Sequence, residues 1–200
     1  QRIDSNSWDI SSRGFVGSIF ANKMLVLIDG RAVYSPLYGG VFWDVQDVVL
    51  EDIERVEVIR GPGGTLWGAN AVNGVINILT KSSKDTQGTL VSAGGGTEER
   101  GFGTVRYGAK AGDWSYRGYG KYFNRDGGYR GDHLVDDEWD MGRGGFRADK
   151  EDWTVQGDFY NGNIGQRTNI PFFTSPFVQT VNETANVQGW NLLAKYEQDD

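Results

Sequence analysis

Few residues of this chain have the types and spacing that catalysis needs. The glycine-rich run at residues 61–68 lacks the Gly-Lys-Ser/Thr ending of a phosphate loop and does not match dinucleotide-binding spacing. One histidine and no cysteine leave most catalytic triads and zinc sites without their side chains. Acidic pairs such as Asp44 with Asp47 are typical of solvated surfaces. The sequence therefore predicts a protein that is not an enzyme and has no resident cofactor or metal.

Residues 51–81 are the most informative segment of the chain. A helix-like opening at Glu51 to Ile53 leads into an alternating strand, which ends at Arg60 before the turn Gly61-Pro62-Gly63-Gly64. A second apolar strand follows at residues 75–79. This order predicts a compact, β-rich unit.

Composition changes near residue 85, which divides the chain into two predicted domains. Residues 1–85 hold dense apolar strands, as expected of a globular core, and residues 81–85 are the predicted linker. Residues 86–200 are rich in glycine and aromatic residues and alternate between polar and apolar positions. The net charge of −7 argues against nucleic acid as a partner of either domain.

Six strands are predicted in residues 86–200, each with one polar and one apolar face. They cover 86–96, 101–111, 114–123, 139–149, 153–161 and a last segment that contains Trp190 to Tyr196. Short turns at 112–113, 150–152 and 198–200 alternate with long polar loops at 124–138 and 162–186, an asymmetry typical of outer-membrane barrels. Trp114, Trp153 and Tyr196 lie beside the short turns, where an interfacial aromatic girdle belongs. The pattern favours a membrane barrel over a soluble sandwich.

Four motifs within residues 8–81 resemble, in the same order, the plug domain of TonB-dependent outer-membrane receptors. They are Ile10-Ser11-Ser12-Arg13-Gly14-Phe15, Val26-Leu27-Ile28-Asp29-Gly30-Arg31, Val33-Tyr34 and Glu57-Val58-Ile59-Arg60-Gly61-Pro62. That family gates the uptake of scarce nutrients, often iron chelates, through a large 22-stranded barrel in the bacterial outer membrane. The resemblance implies a mixed α+β plug domain at 1–85, without its N-terminal part, and the first six antiparallel transmembrane strands of the barrel at 86–200. Six strands cannot close in lipid, so we expect a partial, unclosed piece of a 22-stranded-type barrel.

The resemblance also implies roles for individual residues. Arg13 and Arg60 would form an ionic lock with acidic residues of the barrel wall, the alternative being ordinary surface arginines. Four aromatic residues near the plug apices would contact the ligand or, equally, pack the plug against the wall: Phe20, Tyr34, Tyr38 and Trp43.

Five cations form a basic ladder on the polar face of the predicted strands: Arg106, Arg117, Lys121, Arg143 and Arg147. They are either solvated lumen charges that contact the plug or a path for an anionic chelate. The acidic segment from Asp126 to Asp140, which carries His133, is either a solvated extracellular loop or a cation site.

Partners follow from the same resemblance. They are TonB, outer-membrane lipid and a small-molecule chelate, with a ferric siderophore the first expectation and cobalamin, haem or a glycan left open. The segment that contacts TonB belongs near the N-terminus of such receptors, and no recognisable example precedes Arg13. The alternative function is a surface adhesin or structural barrel, which the plug motifs disfavour.

Overall fold

The computed structural model describes residues 6, 8, 10, 24–35, 40–130, 133–134 and 136–198. The chain forms two compact units that divide between Thr86 and Gln87, and Asn6 belongs to the second unit. Within these described ranges, no helix is long and apolar enough to cross a membrane.

The first unit is built on a four-stranded mixed sheet. Its elements are β1 (Met24–Ile28), β2 (Arg31–Ala32), β3 (Ile53–Arg60), α1 (Gly64–Trp67) and β4 (Gly74–Thr80), with 3-10 turns at Trp43–Val45, Leu50–Asp52 and Ser83–Asp85. The strand order is β2-β1-β4-β3, and β1 runs parallel to β4 while the other two pairs are antiparallel. The 3-10 turn at Leu50–Asp52 matches the predicted helix-like opening. Between the glycine turn and β4 the chain forms the short helix α1.

Apolar residues cover both faces of this sheet, which explains why all five residues of β1 are apolar and buried. One face carries a cluster of Leu25, Leu27, Ala71 and Val75, and the other carries a cluster of Val26, Ile28, Val33 and Val41. Successive residues of β1 point to opposite faces, so this one strand contributes to both clusters.

The turn between β1 and β2 is the hairpin turn that the sequence predicts. Asp29 and Gly30 both have positive φ, 51° and 86°, a combination typical of a two-residue turn that fits the strand twist. The Asp29 carboxylate accepts hydrogen bonds from the Thr80 backbone N–H at 2.7 Å and from the Thr80 hydroxyl at 2.8 Å. The turn is thereby tied to the end of β4.

The second unit is an open antiparallel sheet of six strands. These are β5 (Gly88–Gly94), β6 (Glu99–Ala111), β7 (Trp114–Arg125), β10 (Trp139–Lys150), β11 (Trp153–Pro171) and β12 (Val178–Tyr196), and a small hairpin of β8 (Tyr129–Arg130) and β9 (His133–Leu134) interrupts them. The sheet order β12-β11-β10-β7-β6-β5 follows the chain, so each strand pairs with the next strand of the sheet. The predicted six antiparallel strands are confirmed.

Two segments predicted as long polar loops contain regular structure instead. Residues 162–186 mostly extend the hairpin, because β11 and β12 pair in continuous register from Trp153↔Tyr196 to Pro171↔Val178. Residues 124–138 include the β8–β9 hairpin. The short turns after β6 and β10 are where the sequence places them, whereas the predicted turn at 198–200 extends beyond the described residues.

Several glycines of this sheet lie beneath aromatic rings. In four directly paired positions, a Cβ built on the glycine would lie under 3.0 Å from the ring of its partner: Gly94 with Phe102, Gly144 with Phe159, Gly145 with Tyr119, and Gly189 with Tyr160. A ring that covers a neighbouring glycine stabilises a strand position that has no side chain of its own. This packing accounts for part of the high glycine and aromatic content.

Candidate functional site

The polar face of the six-stranded sheet brings the predicted basic ladder together. Arg106, Arg117 and Arg143 are buried, with 9%, 6% and 6% of their surface exposed, and Lys121 and Arg147 are half-buried. Arg117 lies directly opposite Arg147 in the register, and Lys121 lies directly opposite Arg143. Like charges at directly opposed positions repel each other, so this face needs anions nearby.

Two aspartates on the same face supply those anions. The Arg147 guanidinium bonds Asp149 through Nε and Nη2 at 3.0 to 3.1 Å, and the Thr154 hydroxyl donates to Asp149 at 2.8 Å. Arg143 bonds Asp158 through Nη1, and Asp158 also accepts from the Asn191 amide at 2.6 Å. Two cations of the ladder are therefore paired with aspartates on the same face.

An aromatic cluster lies on this face nearer the loop end of the strands. Phe123 and Trp139 pack edge to face with ring centroids 4.6 Å apart, and the Arg125 guanidinium lies 4.6 Å and 4.9 Å from these two ring centroids. Glu99 accepts from Arg125 at 3.1 Å. Sequence reasoning missed this cluster. The alternation of strand residues does place Phe123 on the same face as Lys121, and Trp139 on the same face as Arg143.

The opposite face of the sheet is apolar and exposed. Tyr107, Phe159 and Trp190 expose 57%, 63% and 80% of their surface, and the residues beside them on this face are mostly aliphatic, aromatic or glycine. Trp114 and Trp153 begin their strands, and Trp153 packs on Tyr196 with ring centroids 5.0 Å apart at the short-turn end. A buried polar face with an exposed apolar face is the reverse of a soluble sheet, and it is typical of a membrane barrel wall.

Two of the four predicted ligand-contact aromatics are described, and they lie in separate clusters of the first unit. Tyr34 packs against the cluster that contains Leu25 and Val75, whereas Trp43 packs against the cluster that contains Val26 and Val41. The structure does not bring these two rings together. Phe20 and Tyr38 lie outside the described residues.

Arg60 is the last residue of β3, as the sequence predicts, and its side chain is exposed rather than buried. Arg13 lies outside the described residues, and the lock itself stays a prediction.

An exposed charge cluster lies earlier on β3. Arg55 donates from Nε to Glu57 at 2.8 Å and from Nη1 to Glu54 at 2.7 Å, while the Asn77 amide donates to Glu57 at 2.9 Å. The hydrogen bonds from Arg55 and then from Asn77 lower the pKa of the Glu57 carboxyl below its ordinary 4.5. The bond to Glu57 raises the pKa of the Arg55 guanidinium above its ordinary value.

Described carboxylates of the acidic segment 126–140 accept hydrogen bonds from backbone amides, from an arginine and from asparagine side chains. Asp126 accepts from the Gly127 N–H at 2.9 Å and from Arg100 at 2.6 Å, and Asp137 accepts from the Gly128 N–H at 2.6 Å. Across the described parts of the chain, no group of three or more His, Asp or Glu residues is placed to hold a metal ion. The alternatives of a solvated loop and a cation site both stay predictions for this segment.

Comparison with known proteins finds a family model for the first part of the chain and relatives that match half of the chain or more. Residues 2–75 match the family model described as the TonB-dependent receptor plug domain. The vitamin B12 transporter BtuB of Vibrio vulnificus (strain CMCP6) is 42% identical over 108 residues, which are 50% of this chain and 17% of that protein. The BtuB of Photobacterium profundum is 29% identical over 164 residues, 82% of this chain and 24% of that protein.

Among solved structures, the siderophore receptor PirA from Pseudomonas aeruginosa is similar with a TM-score of 0.37 and 22% identity, over 88% of this chain and 34% of that one. The alignments span about a sixth to a quarter of the length of these two curated relatives.

Proposed function

Because this chain belongs to the family of TonB-dependent outer-membrane receptors, we propose that the full-length receptor actively imports a scarce small-molecule nutrient. One observation carries the proposal: a plug-type unit is followed directly by a sheet with a buried polar face and an exposed apolar face. A plug is needed only where a barrel has to be closed and opened. The exposed apolar face contacts outer-membrane lipid, and the polar face lines the lumen.

TonB supplies the energy for this import. It is the partner from which the family takes its name, and it couples the inner membrane to rearrangement of the plug. The receptor moves its ligand without chemical change, in keeping with a relative that is a transporter by name.

The proposed substrate is a metal chelate, and vitamin B12, a cobalt chelate, is the first candidate. The 42% identity to a vitamin B12 transporter over 108 residues supports this choice over the ferric siderophore that the sequence alone put first. Equilibrium binding to the purified full-length receptor, with cyanocobalamin, a ferric hydroxamate and a ferric catecholate as separate probes, tests it. Tight binding of cyanocobalamin alone is expected, and preference for either ferric chelate would overturn the substrate while leaving the transport class intact.

We also propose that the basic ladder forms part of the lumen through which the ligand's anionic groups pass. Its cations share one face, where Arg143 pairs with Asp158 and Arg147 pairs with Asp149. Replacing Lys121 with Gln removes one cation of this ladder. We expect weaker import of an anionic probe with unchanged import of a neutral one, and equal losses for both probes would argue for a structural role.

A further inference from the structure

Asn6 differs from its neighbours in the sequence, because it belongs to the second unit while the described residues Trp8 and Ile10 belong to the first. It is buried, with 7% of its surface exposed. Its side-chain amide donates to two backbone carbonyl oxygens, that of Gly165 at 3.1 Å and that of Asp137 at 3.3 Å. Asn6 thereby joins the N-terminal segment to two points of the chain that lie 159 and 131 positions further along.

The backbone is closely packed around Gly165. The Gly165 N–H donates to the Glu138 carbonyl oxygen at 2.8 Å. A Cβ built on Gly165 would lie 2.7 Å from the Asp136 carbonyl oxygen and 3.0 Å from that of Glu138, so glycine allows this close approach. Residues 136–138, which lead into β10, therefore lie directly against β11, and the Asn6 amide bridges the two.

An apolar patch borders this bridge on the polar face of the sheet. We call it the apolar dock, and its four side chains are each at most 4% exposed: Phe123, Trp139, Met141 and Ile164. They are neighbours in the register, where Trp139 lies opposite Ile164 and Met141 lies opposite Phe123. The two acceptors of Asn6 flank the dock, since Gly165 follows Ile164 and Asp137 lies two positions before Trp139.

Apolar side chains on one face of an open sheet are buried only where other groups cover them. The Arg125 guanidinium lies over the rings of Phe123 and Trp139, on one side of the dock. Asn6 marks the other side, next to Ile164, where its two hydrogen bonds fasten the N-terminal segment.

We propose that Asn6 is a latch, which fastens the N-terminal segment at the apolar dock in the resting receptor and opens during import. The inference rests on the proposed function, because Asn6 lies within residues 2–75, which match the plug model, and a plug has to rearrange before ligand can pass. Two neutral hydrogen bonds suit this role. Each favours the fastened state about fivefold, whereas opening a buried ion pair would be far more costly.

Accessibility of the apolar dock measures the latch. Ile164→Cys, in a full-length receptor without other cysteines, places a thiol next to the acceptors of Asn6, and a hydrophilic maleimide reports how often that thiol is uncovered. Asn6→Ala is added to remove the latch. Asn186→Ala is the matched control, because the Asn186 amide also donates to a backbone carbonyl oxygen, that of Gly162 at 3.1 Å, and lies on the opposite face of the same hairpin.

Without ligand, we expect I164C/N6A to be labelled about 20-fold faster than I164C, since two roughly fivefold preferences are lost. The variant I164C/N186A should be labelled at the rate of I164C. Equal rates in all three proteins would overturn the proposal. Heat-modifiable migration on gels verifies that each barrel is folded.

During import, the thiol of I164C should be labelled faster in cells with functional TonB and not in cells that lack it. Radiolabelled cyanocobalamin, measured in the same cells, reports import. Labelling that stays slow while cyanocobalamin enters would overturn the latch and leave the transport function intact. The comparison without ligand does not depend on uptake, so a failure of the transport function is distinguishable from a failure of the latch.

Discussion

Replacing Asp158 tests the ion pairs of the polar face most sharply. Asp158→Ala removes the carboxylate that accepts from Arg143 and from the Asn191 amide. The Arg143 side chain is only 4% exposed, whereas that of Asp158 is 19% exposed. Lys121 lies directly opposite Arg143, so the variant leaves two cations facing each other with less neutralisation.

The expected loss of unfolding free energy is about 3 kcal/mol. Removing one partner of a buried ion pair costs about 3–5 kcal/mol, and the partial exposure of Asp158 puts this case at the lower end. Asp158→Asn keeps the shape and one hydrogen-bond acceptor, so its cost should be about 1–2 kcal/mol. Both variants lose the charge and only Asp158→Ala also loses the packing, so the difference between their unfolding free energies measures the packing.

The assay is guanidinium unfolding of the full-length receptor in phospholipid vesicles, followed by tryptophan fluorescence. Glu197→Ala provides the matched control, because it breaks an ion pair with Lys195 whose side chains are 66% and 41% exposed. Such exposed pairs contribute at most about 1 kcal/mol. If Asp158→Ala destabilises no more than this control, the polar face is well hydrated and the reasoning about buried charge is wrong.

Three further predictions concern single positions. Gly145→Ala should lower the unfolding free energy by about 1–3 kcal/mol, because its Cβ would lie 2.6 Å from the ring of Tyr119. Gly120→Ala is the control: a Cβ there has open space, so the unfolding free energy should change by under about 0.5 kcal/mol. Folding lowers the pKa of Glu57, mainly through its bond to Arg55, so this bond stabilises the plug fully at pH values above the ordinary pKa of 4.5. The stabilisation is lost as the pH falls through the lowered pKa. Glu57→Gln should remove this part of the acid sensitivity of thermal unfolding. Arg60→Ala should let an antibiotic too large for porins enter cells without preventing barrel assembly, and unchanged antibiotic sensitivity would count against the ionic lock.

The barrel strands were the part of the fold most accessible to sequence reasoning. Side chains in a strand alternate with a period of two. The predicted strands at 101–111, 114–123, 139–149 and 153–161 maintain that alternation because one face is apolar and the other polar. The hairpin extension at 162–186, predicted as a loop, was missed because its residues are mostly polar on both faces. There the strands are defined by their continuous pairing from Ile164↔Ala185 to Pro171↔Val178, which leaves no hydrophobic pattern in the sequence.

The first unit was predictable in its strands but not in their pairing. β1 and β4 are apolar runs that are plain in the sequence, yet their parallel register, with Leu25 beside Val75, joins residues about fifty positions apart. Sequence pattern carries no information on such a distant match. The ion pairs of the basic ladder were likewise not predictable. The sequence pattern places Asp149 and Asp158 on the polar face but does not say which arginine each one pairs with.

Uptake of cyanocobalamin by cells that produce the full-length receptor, with and without functional TonB, tests the central account most directly. Radiolabelled cyanocobalamin at a concentration too low for passive entry is the probe, and cells without the receptor give the background. The account predicts uptake that requires both the receptor and TonB. Receptor-dependent uptake of equal rate in cells that lack TonB would contradict it, because a plugged barrel would then be passing its substrate without energy.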